Sequence, residues 1–259
     1  MKFIHLSDTH ILARGDYSRK PDGAATLRKV IGEINKHHRD AEICVITGDI
    51  THHGHPDQYE QAAEILGTLE IPYILIPGNH DERLALCEAF PDTPVDPNGF
   101  ISHASLFGGI RFVMMDSIVP GAHHGTLCDK RLGWLRDELS AHQDTPTFLF
   151  MHHPPFEMGM PFMDTIRLDA DQELAEIVKA NPQIKHMFFG HLYRPATGTW
   201  QGVPFLLAAS TQRGEPLDFR HEKEEELEDR NPLVPGYGIA FADPDGGLRY
   251  HFDFIDFDI

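Results

Sequence analysis

The sequence predicts an α/β protein built on a largely parallel sheet with helices on both faces. Three observations carry that prediction. Short apolar runs alternate with longer segments of helical periodicity through the first 80 residues. The runs are apolar nearly throughout rather than at every second position, as expected of strands covered on both faces. Polar residues collect immediately after the runs, where open α/β folds bind their ligands.

The elements follow in order. Phe3 to Leu6 reads as a buried strand. Ala24 to His38 reads as a helix because Leu27, Val30, Ile31 and Ile34 recur on one face. Ile43 to Thr47 is the next strand. Pro56 to Leu69 is the next helix, with Tyr59, Ala62, Ala63, Leu66 and Leu69 on a stripe, and Tyr73 to Ile76 is the third strand. Asp92 to Gly99 is rich in proline and aspartate and reads as a loop. Ile101 to Leu106 and Ile110 to Met115 form a strand pair around Gly108-Gly109, a run too short for a dinucleotide fingerprint. Asp129 to Leu139 is helical, Thr147 to Met151 is a strand, and Phe156 to Ile166 is a long apolar loop. Asp169 to Val178 is a helix and His186 to Phe189 a strand, followed by strands at Thr197 to Trp200 and Pro204 to Ala208. Gly238 to Ala240 and Leu248 to Phe254 close the chain as a hairpin.

With 259 residues, 41% of them apolar, the chain can bury a sizeable core. No linker or repeat divides it, so residues 1–259 read as a single domain of two sheet halves. A charged insertion or flap interrupts it at about 212–235. The core of that segment, His221 to Arg230, includes Glu224-Glu225-Glu226 and reads as a solvated loop or helix, a flap, or an oligomer contact. The net charge of -18 argues against a stable nucleic-acid partner, because backbone binding needs lysine and arginine to neutralise phosphates. It also repels small acidic substrates at long range. An acidic protein that handles phosphate needs a local positive centre, which a bound metal supplies without appearing in the sequence charge. No apolar run approaches 18 residues and no signal-peptide pattern opens the chain, so no membrane association is expected. Cys44, Cys87 and Cys128 are odd in number and widely spaced, which does not suggest a disulfide framework. These features together predict a cytoplasmic location.

Five polar motifs follow predicted strands: Asp8-Thr9-His10, Gly48-Asp49, Gly78-Asn79-His80-Asp81, His152-His153-Pro154 and Gly190-His191-Leu192-Tyr193. A lone histidine after a strand is usually structural. Aspartate, asparagine and histidine recurring at the ends of several strands converge on one sheet edge and read as a metal site. Oxygen and imidazole donors suit Mn, Fe, Zn or Co. A carboxylate can bridge two ions, and Asp49 is central and follows a glycine that keeps the turn open. Two ions about 4 Å apart can activate water and clamp a phosphate.

These motifs, in this order and spacing, resemble the signature of the calcineurin-like metallophosphoesterases from residue 3 to about 208. Gly48-Asp49-Ile50-Thr51 through Tyr59 to Ile76-Pro77-Gly78-Asn79-His80-Asp81, with Met151-His152-His153-Pro154-Pro155, resembles the class III cyclic-nucleotide phosphodiesterase branch, which includes glycerophosphodiesterases. The resemblance implies a four-layer α/β/β/α sandwich with mixed sheets and a metal site at strand carboxyl ends. It implies hydrolysis of small phosphodiesters by attack of a metal-bound hydroxide, with two divalent or mixed-valence ions. On this pattern Asp8 and His10 hold the first metal, Asp49 bridges, and Asn79, His152 and His191 hold the second. His80 lies beside the phosphate, and with Asn79 contacts substrate. Asp81 orients His80. His152 is preferred over His153 as the ligand, leaving His153 either behind the ligands or facing substrate. A homo-oligomer is also implied.

The sequence departs from the pattern at one place. The family motif Gly-His-x-His ends here in Tyr193. Three readings follow: ligation as phenolate, a neutral phenol hydrogen-bonded to substrate or water, or a weak first metal site. Phenolate is costly without a strong Lewis acid because the reference pKa is near 10. Other candidate substrate contacts are Arg194, which could bind phosphate or pair with an acid; His53 and His55 after Asp49; and Asp16 and Arg19 after His10. The methionine-rich loop at 156–166 could wall a pocket for an organic group, pack a partner, or fill local core. The alternatives to a phosphodiesterase are a phosphomonoesterase, a nuclease, or a catalytically weak metal- or phosphate-binding protein.

Overall fold

The computed structural model describes residues 1–223 and 233–256. Two mixed sheets lie face to face with helices on both outer sides, giving the four α/β/β/α layers. The first sheet has the order β11-β10-β1-β2-β3. It comprises β1 (Lys2–Leu6), β2 (Ile43–Ile46), β3 (Tyr73–Leu75), β10 (Gly236–Ala242) and β11 (Leu248–Phe254). Its strands β1, β2 and β3 are parallel, and β10 and β11 add antiparallel. The second sheet has the order β4-β5-β6-β7-β9-β8. It comprises β4 (His103–Phe107), β5 (Ile110–Met115), β6 (Thr147–Met151), β7 (Ile184–Phe189), β8 (Ala196–Trp200) and β9 (Val203–Leu207). Strands β5, β6, β7 and β9 run parallel, with antiparallel β4 and β8 at the edges.

Alternation inside fully buried strands explains why the runs are apolar throughout. On β1, Ile4 and Leu6 face the helices α1 (Gly23–His37) and α2 (Pro56–Leu66), meeting Leu27, Ile31, Tyr59 and Ile65. Phe3 points the other way, into a layer between the sheets shared with Phe112, Phe148, Phe150 and Phe188. There the Phe3 and Phe112 rings meet edge-on at 5.1 Å, and Phe150 stacks on Phe188 at 4.5 Å. Such pairs contribute about 0.5–1.5 kcal/mol each beyond their burial. On the far side, α4 (Asp129–Ala141) and α6 (Asp171–Ala180) cover the second sheet through Leu132, Leu135, Leu139, Leu174 and Ile177. Helix α1 begins where the Asp22 carboxylate accepts a hydrogen bond from the Ala24 amide.

Two short helices lie outside the sequence expectation. Helix α3 (Arg83–Ala89) buries only Leu86, so it carries almost no apolar periodicity. Helix α5 (Pro161–Thr165) interrupts the expected loop at 156–166. That loop is core rather than pocket wall. Met160 and Met163 are buried, and Phe156 packs 4.1 Å from the Phe205 ring. Of the charged segment at 212–235, residues 224–232 lie outside the described residues, and with them Glu224-Glu225-Glu226. Its described flanks pair through Gly214 and Leu233, which exchange backbone hydrogen bonds of 3.1 and 3.0 Å.

Candidate metal centre

The parallel strands of both sheets deliver their following residues to one place. Asp8 and His10 follow β1, Asp49 follows β2, Asn79 and His80 follow β3, His152 follows β6, and His191 follows β7. Two contacts tie the sheets together there. The His152 Nδ1 donates to the Thr47 carbonyl at 2.7 Å, and the His191 amide donates to Asp8 Oδ1 at 3.2 Å. The approach requires glycine at two positions. A Cβ on Gly78 would lie 2.2 Å from Asp49 Oδ1, and one on Gly190 would lie 2.0 Å from Ser7 Oγ.

The backbone is bent to aim these side chains. Six non-glycine residues among those described have φ in the left-handed region, and five are Asp8, His10, Asp49, His191 and Tyr193. Such torsions persist only where surroundings over-determine them. Here the Asp8 amide donates to the Gly48 carbonyl, the His10 amide to the Asp49 carbonyl, and the Asp8 carbonyl accepts from the Gln212 amide and the Ser210 hydroxyl.

The side-chain atoms that meet in the centre are acceptors facing acceptors. Asp8, Asp49 and His152 are fully buried. Because Nδ1 of His152 donates to Thr47, the Nε2 of the neutral ring carries a lone pair. That nitrogen faces Asn79 Oδ1 at 3.1 Å and Asp49 Oδ2 at 3.5 Å. His191 Nδ1 lies 2.9 Å from the same Asn79 Oδ1, and His10 Nε2 lies 3.6 Å from Asp49 Oδ2. Asp8 Oδ2, Asp49 Oδ2 and His10 Nε2 are buried with no hydrogen-bond partner. Buried polar atoms are nearly always paired. Buried acceptors left without partners at one point are stable when cations occupy the middle. Without cations the site strains toward protonation. Burial raises the Asp8 pKa to about 7, and burial opposes the charge on His152 while Asp49 and Asp8 drive its pKa up to about 9. Two carboxylates, an amide oxygen and several imidazoles are the donor set that suits Mn, Fe, Zn or Co. The ligand atoms of Asp8, Asp49 and His152 lie within 4.8 Å of one another, close enough to share ions.

Around this centre the expected residues take varied places. Tyr193 packs its ring 5.1 Å from that of His10. Burial and the carboxylates of Asp49 and Asp8 push its pKa well above 10, so it stands as a neutral phenol. His80 donates Nδ1–H to the His52 carbonyl at 2.8 Å. Asp81 was expected to orient that imidazole, and it does not contact it. Its carboxylate instead accepts from the amides of Ile50, Thr51 and Gly78 and from the Tyr59 hydroxyl, at 2.9–3.0 Å. Burial and the charge of Asp49 raise the Asp81 pKa, and the backbone donors hold it down. Asp81 therefore ties the loop carrying Asp49 to the loop carrying Asn79 and His80.

His153 lies behind the ligand positions, with a ring nitrogen within 4.8 Å of those of His152 and His191. It is fully buried, with Nδ1 on the Ser117 hydroxyl at 2.8 Å and Nε2 on the His123 carbonyl at 3.1 Å. Arg194 donates to the Glu215 carbonyl at 2.7 Å and meets no acidic side chain among the described residues. His53 and His55 are exposed at the mouth, and the His53 ring packs 4.5 Å from that of His52. Asp16 accepts from the Ser18 amide within its own loop. Arg19 has its Nε buried without a hydrogen-bond partner, and its charge helps depress His52. Two histidines escaped the sequence reading. His52 contacts both His10 and His80, and His123 lies with Nδ1 3.5 Å from the Asn79 amide nitrogen. The signal for His52 was its place three residues after Asp49; His123 sits in a loop with no motif.

A layered α/β/β/α fold with buried carboxylates and imidazoles at its strand ends defines a dinuclear metallohydrolase class. The chain belongs to the calcineurin-like phosphoesterases, whose family model matches residues 1–195. It is 39% identical over 217 residues to a probable cyclic nucleotide phosphodiesterase of Rhodopseudomonas palustris, covering 83% of this chain and 78% of that protein. It is 31% identical over 258 residues to a probable glycerophosphodiester phosphodiesterase of Arcobacter nitrofigilis, covering 98% and 93%. Among solved structures, a dimetal phosphatase from Danio rerio superposes with a TM-score of 0.69 at 14% identity, covering 93% of this chain and 92% of that one. That likeness shows the shared fold. Among the described residues no helix is long and apolar enough to cross a membrane.

Proposed function

We propose that this chain hydrolyses small phosphodiesters with two metal ions held by Asp8, His10, Asp49, Asn79, His152 and His191. The observation that carries this reading is the buried meeting of Asp8 Oδ2, Asp49 Oδ2 and His10 Nε2, none with a hydrogen-bond partner, beside His152 Nε2. In this assignment Asp8 and His10 serve the first ion, Asn79, His152 and His191 the second, and Asp49 both. The ions, when bound, supply Lewis acidity and an activated water. The chain supplies the rest. Thr47 fixes the His152 ring so that Nε2 points inward. The His52 carbonyl fixes His80 through Nδ1, leaving Nε2 of a protonated ring to donate to the departing alkoxide oxygen. As the new P–O bond forms opposite the leaving oxygen, the bond to the alkoxide breaks and that oxygen takes the proton. Asn79 lies beside His80 and keeps its amide nitrogen near His123.

The preference for diesters is supported by the relatives named as phosphodiesterases. A site positive in an otherwise acidic protein accounts for phosphate binding without a basic surface, and that acidity speaks against a nucleic-acid substrate. Three free cysteines accord with a cytoplasmic location.

The test uses metal-depleted protein reloaded separately with Mn, Fe, Zn or Co, with metal stoichiometry measured on the assayed samples. The panel holds 3′,5′-cyclic AMP, a glycerophosphodiester, bis(p-nitrophenyl) phosphate and p-nitrophenyl phosphate. The expected result is diester turnover that appears with two ions per chain and is lost, with both ions, in Asp49→Asn. Faster turnover of the monoester than of every diester would overturn the substrate class.

A further inference from the structure

His52 stands between the two functional imidazoles on the first-metal side. Its Nδ1 lies 3.2 Å from Nδ1 of His10, and its ring stacks on that of His80 at 4.9 Å with 16° between planes. Its backbone carbonyl, not its side chain, holds His80 Nδ1. The geometry around His10 sorts the roles of the nitrogens. His10 Nε2 is the atom aimed at Asp49 Oδ2, so ligation through it leaves Nδ1–H as a donor. The group placed to accept that proton is His52 Nδ1, which then carries its own proton on Nε2. A ligating histidine usually gives its other N–H to a carboxylate, a carbonyl or water. Here a neutral imidazole takes that place, on the half of the site where Tyr193 stands instead of a fourth histidine.

We propose that His52 is the positioning residue of the first metal site: it accepts the His10 Nδ1 hydrogen and so fixes the ring with Nε2 toward Asp49. This rests on the two-ion reading above. In contrast, His152 on the second-metal side is fixed by the Thr47 carbonyl, which no side-chain change removes. The two halves of the centre are therefore held by different means, one by backbone and one by a single replaceable ring. Substitution of His52 reaches the first ion alone, because His80 keeps its bond to the residue 52 carbonyl whatever side chain is present.

The experiment compares the full chain with His52→Phe, which keeps a ring against His80 and removes the nitrogens, and His52→Asn, whose side-chain oxygen can stand near the position of Nδ1. Mn2+ binding is followed by equilibrium dialysis and by the electron paramagnetic resonance of the bound ions. The expected result is a first-site affinity weakened roughly 10- to 100-fold in His52→Phe, with the second ion retained, and largely recovered in His52→Asn. The Mn2+ concentration for half-maximal turnover should shift in parallel. Retention of the second ion shows that the Phe variant is folded. Equal first-site affinity in parent and His52→Phe, or no recovery in His52→Asn, overturns the inference and leaves the two-ion reading standing. A parent chain that binds no second Mn2+ overturns both.

Discussion

Replacing Asp81 by asparagine should cost this fold more than any change of similar size around the site. The carboxylate is almost fully buried and divides its donors between its two oxygens, with the Thr51 hydroxyl adding a longer bond of 3.2 Å to Oδ1. Oδ2 takes the amides of Ile50 and Gly78 at 3.0 and 2.9 Å, while Oδ1 takes the Thr51 amide and the Tyr59 hydroxyl at 3.0 and 2.9 Å. An amide group has one acceptor oxygen and one donor nitrogen. Turned toward Ile50 and Gly78, its NH2 faces two backbone N–H groups and leaves both without an acceptor. Turned the other way, it can donate to the Tyr59 and Thr51 hydroxyl oxygens and orphans only the Thr51 amide, so this orientation is favoured and the expected cost is about 1–3 kcal/mol. That is an appreciable part of a typical domain stability of about 5–15 kcal/mol. The assay is urea unfolding in chelator, with Tyr59→Phe as a comparison that removes one hydroxyl donor to Asp81 and the acceptor of the Glu82 amide, at a residue exposed to solvent. The expected order is Asp81→Asn below Tyr59→Phe, with metal affinity falling in the first because Asp49 and Asn79 lose their common anchor. A loss smaller than about 1 kcal/mol in Asp81→Asn would refute the assignment of Asp81 as the knot between the loops.

Three further outcomes follow from the geometry. His80→Ala should slow diester turnover roughly 100- to 10,000-fold while both ions remain, since His80 is placed as a proton donor and not as a ligand; parallel loss of metal would contradict this. Tyr193→His should tighten the first ion, on the order of tenfold, because the neutral phenol beside His10 gives way to an imidazole; titration with Mn2+ reads the change, and unaltered affinity would show that position 193 does not reach the ion. His5 is fully buried between the Tyr250 hydroxyl and Thr47 Oγ1, and burial lowers its pKa from 6.5 to about 3. The unfolded chain therefore binds the extra proton first, so His5 withdraws stability as pH falls from 6.5 toward 3, at about 1.4 kcal/mol per pH unit. His5→Gln should flatten the decline between pH 6.5 and about 5 by roughly 2 kcal/mol in chelator, and an unchanged slope of urea stability against pH would remove His5 as a cause.

The parts of the fold readable in the sequence are those governed by local pattern. Strand β2 was legible because it is an unbroken apolar run, β1 because Phe3, Ile4 and Leu6 form one broken only by His5, and α1 because its stripe and its Asp22 cap agree. Helices α3 and α5 were not, being too short to show a period. The division into two facing sheets depends on pairings such as β1 with β10, more than 200 residues apart in sequence, which no window can report. The ligand positions were readable because each directly follows a strand. The partners of Asp81 were not, because they are backbone amides and every residue but proline has one. The hydrogen bonds of His153 to Ser117 and His123, and of Arg194 to the Glu215 carbonyl, were not readable either, because their partners lie on distant segments with no motif. His52 was hidden among neighbouring histidines, and only the closeness of its ring to His10 distinguishes it.

The left-handed torsions of Asp8, His10 and Asp49 bear on how this protein would respond to selection. Each torsion costs about 1–3 kcal/mol in a residue other than glycine. Glycine would adopt them freely, and in metal-free protein it would also remove the facing lone pairs. A screen for thermal tolerance run in chelator would therefore reward glycine at the very positions proposed to hold the ions, and discard the chemistry before it touched the core. The same screen run with metal present would retain them.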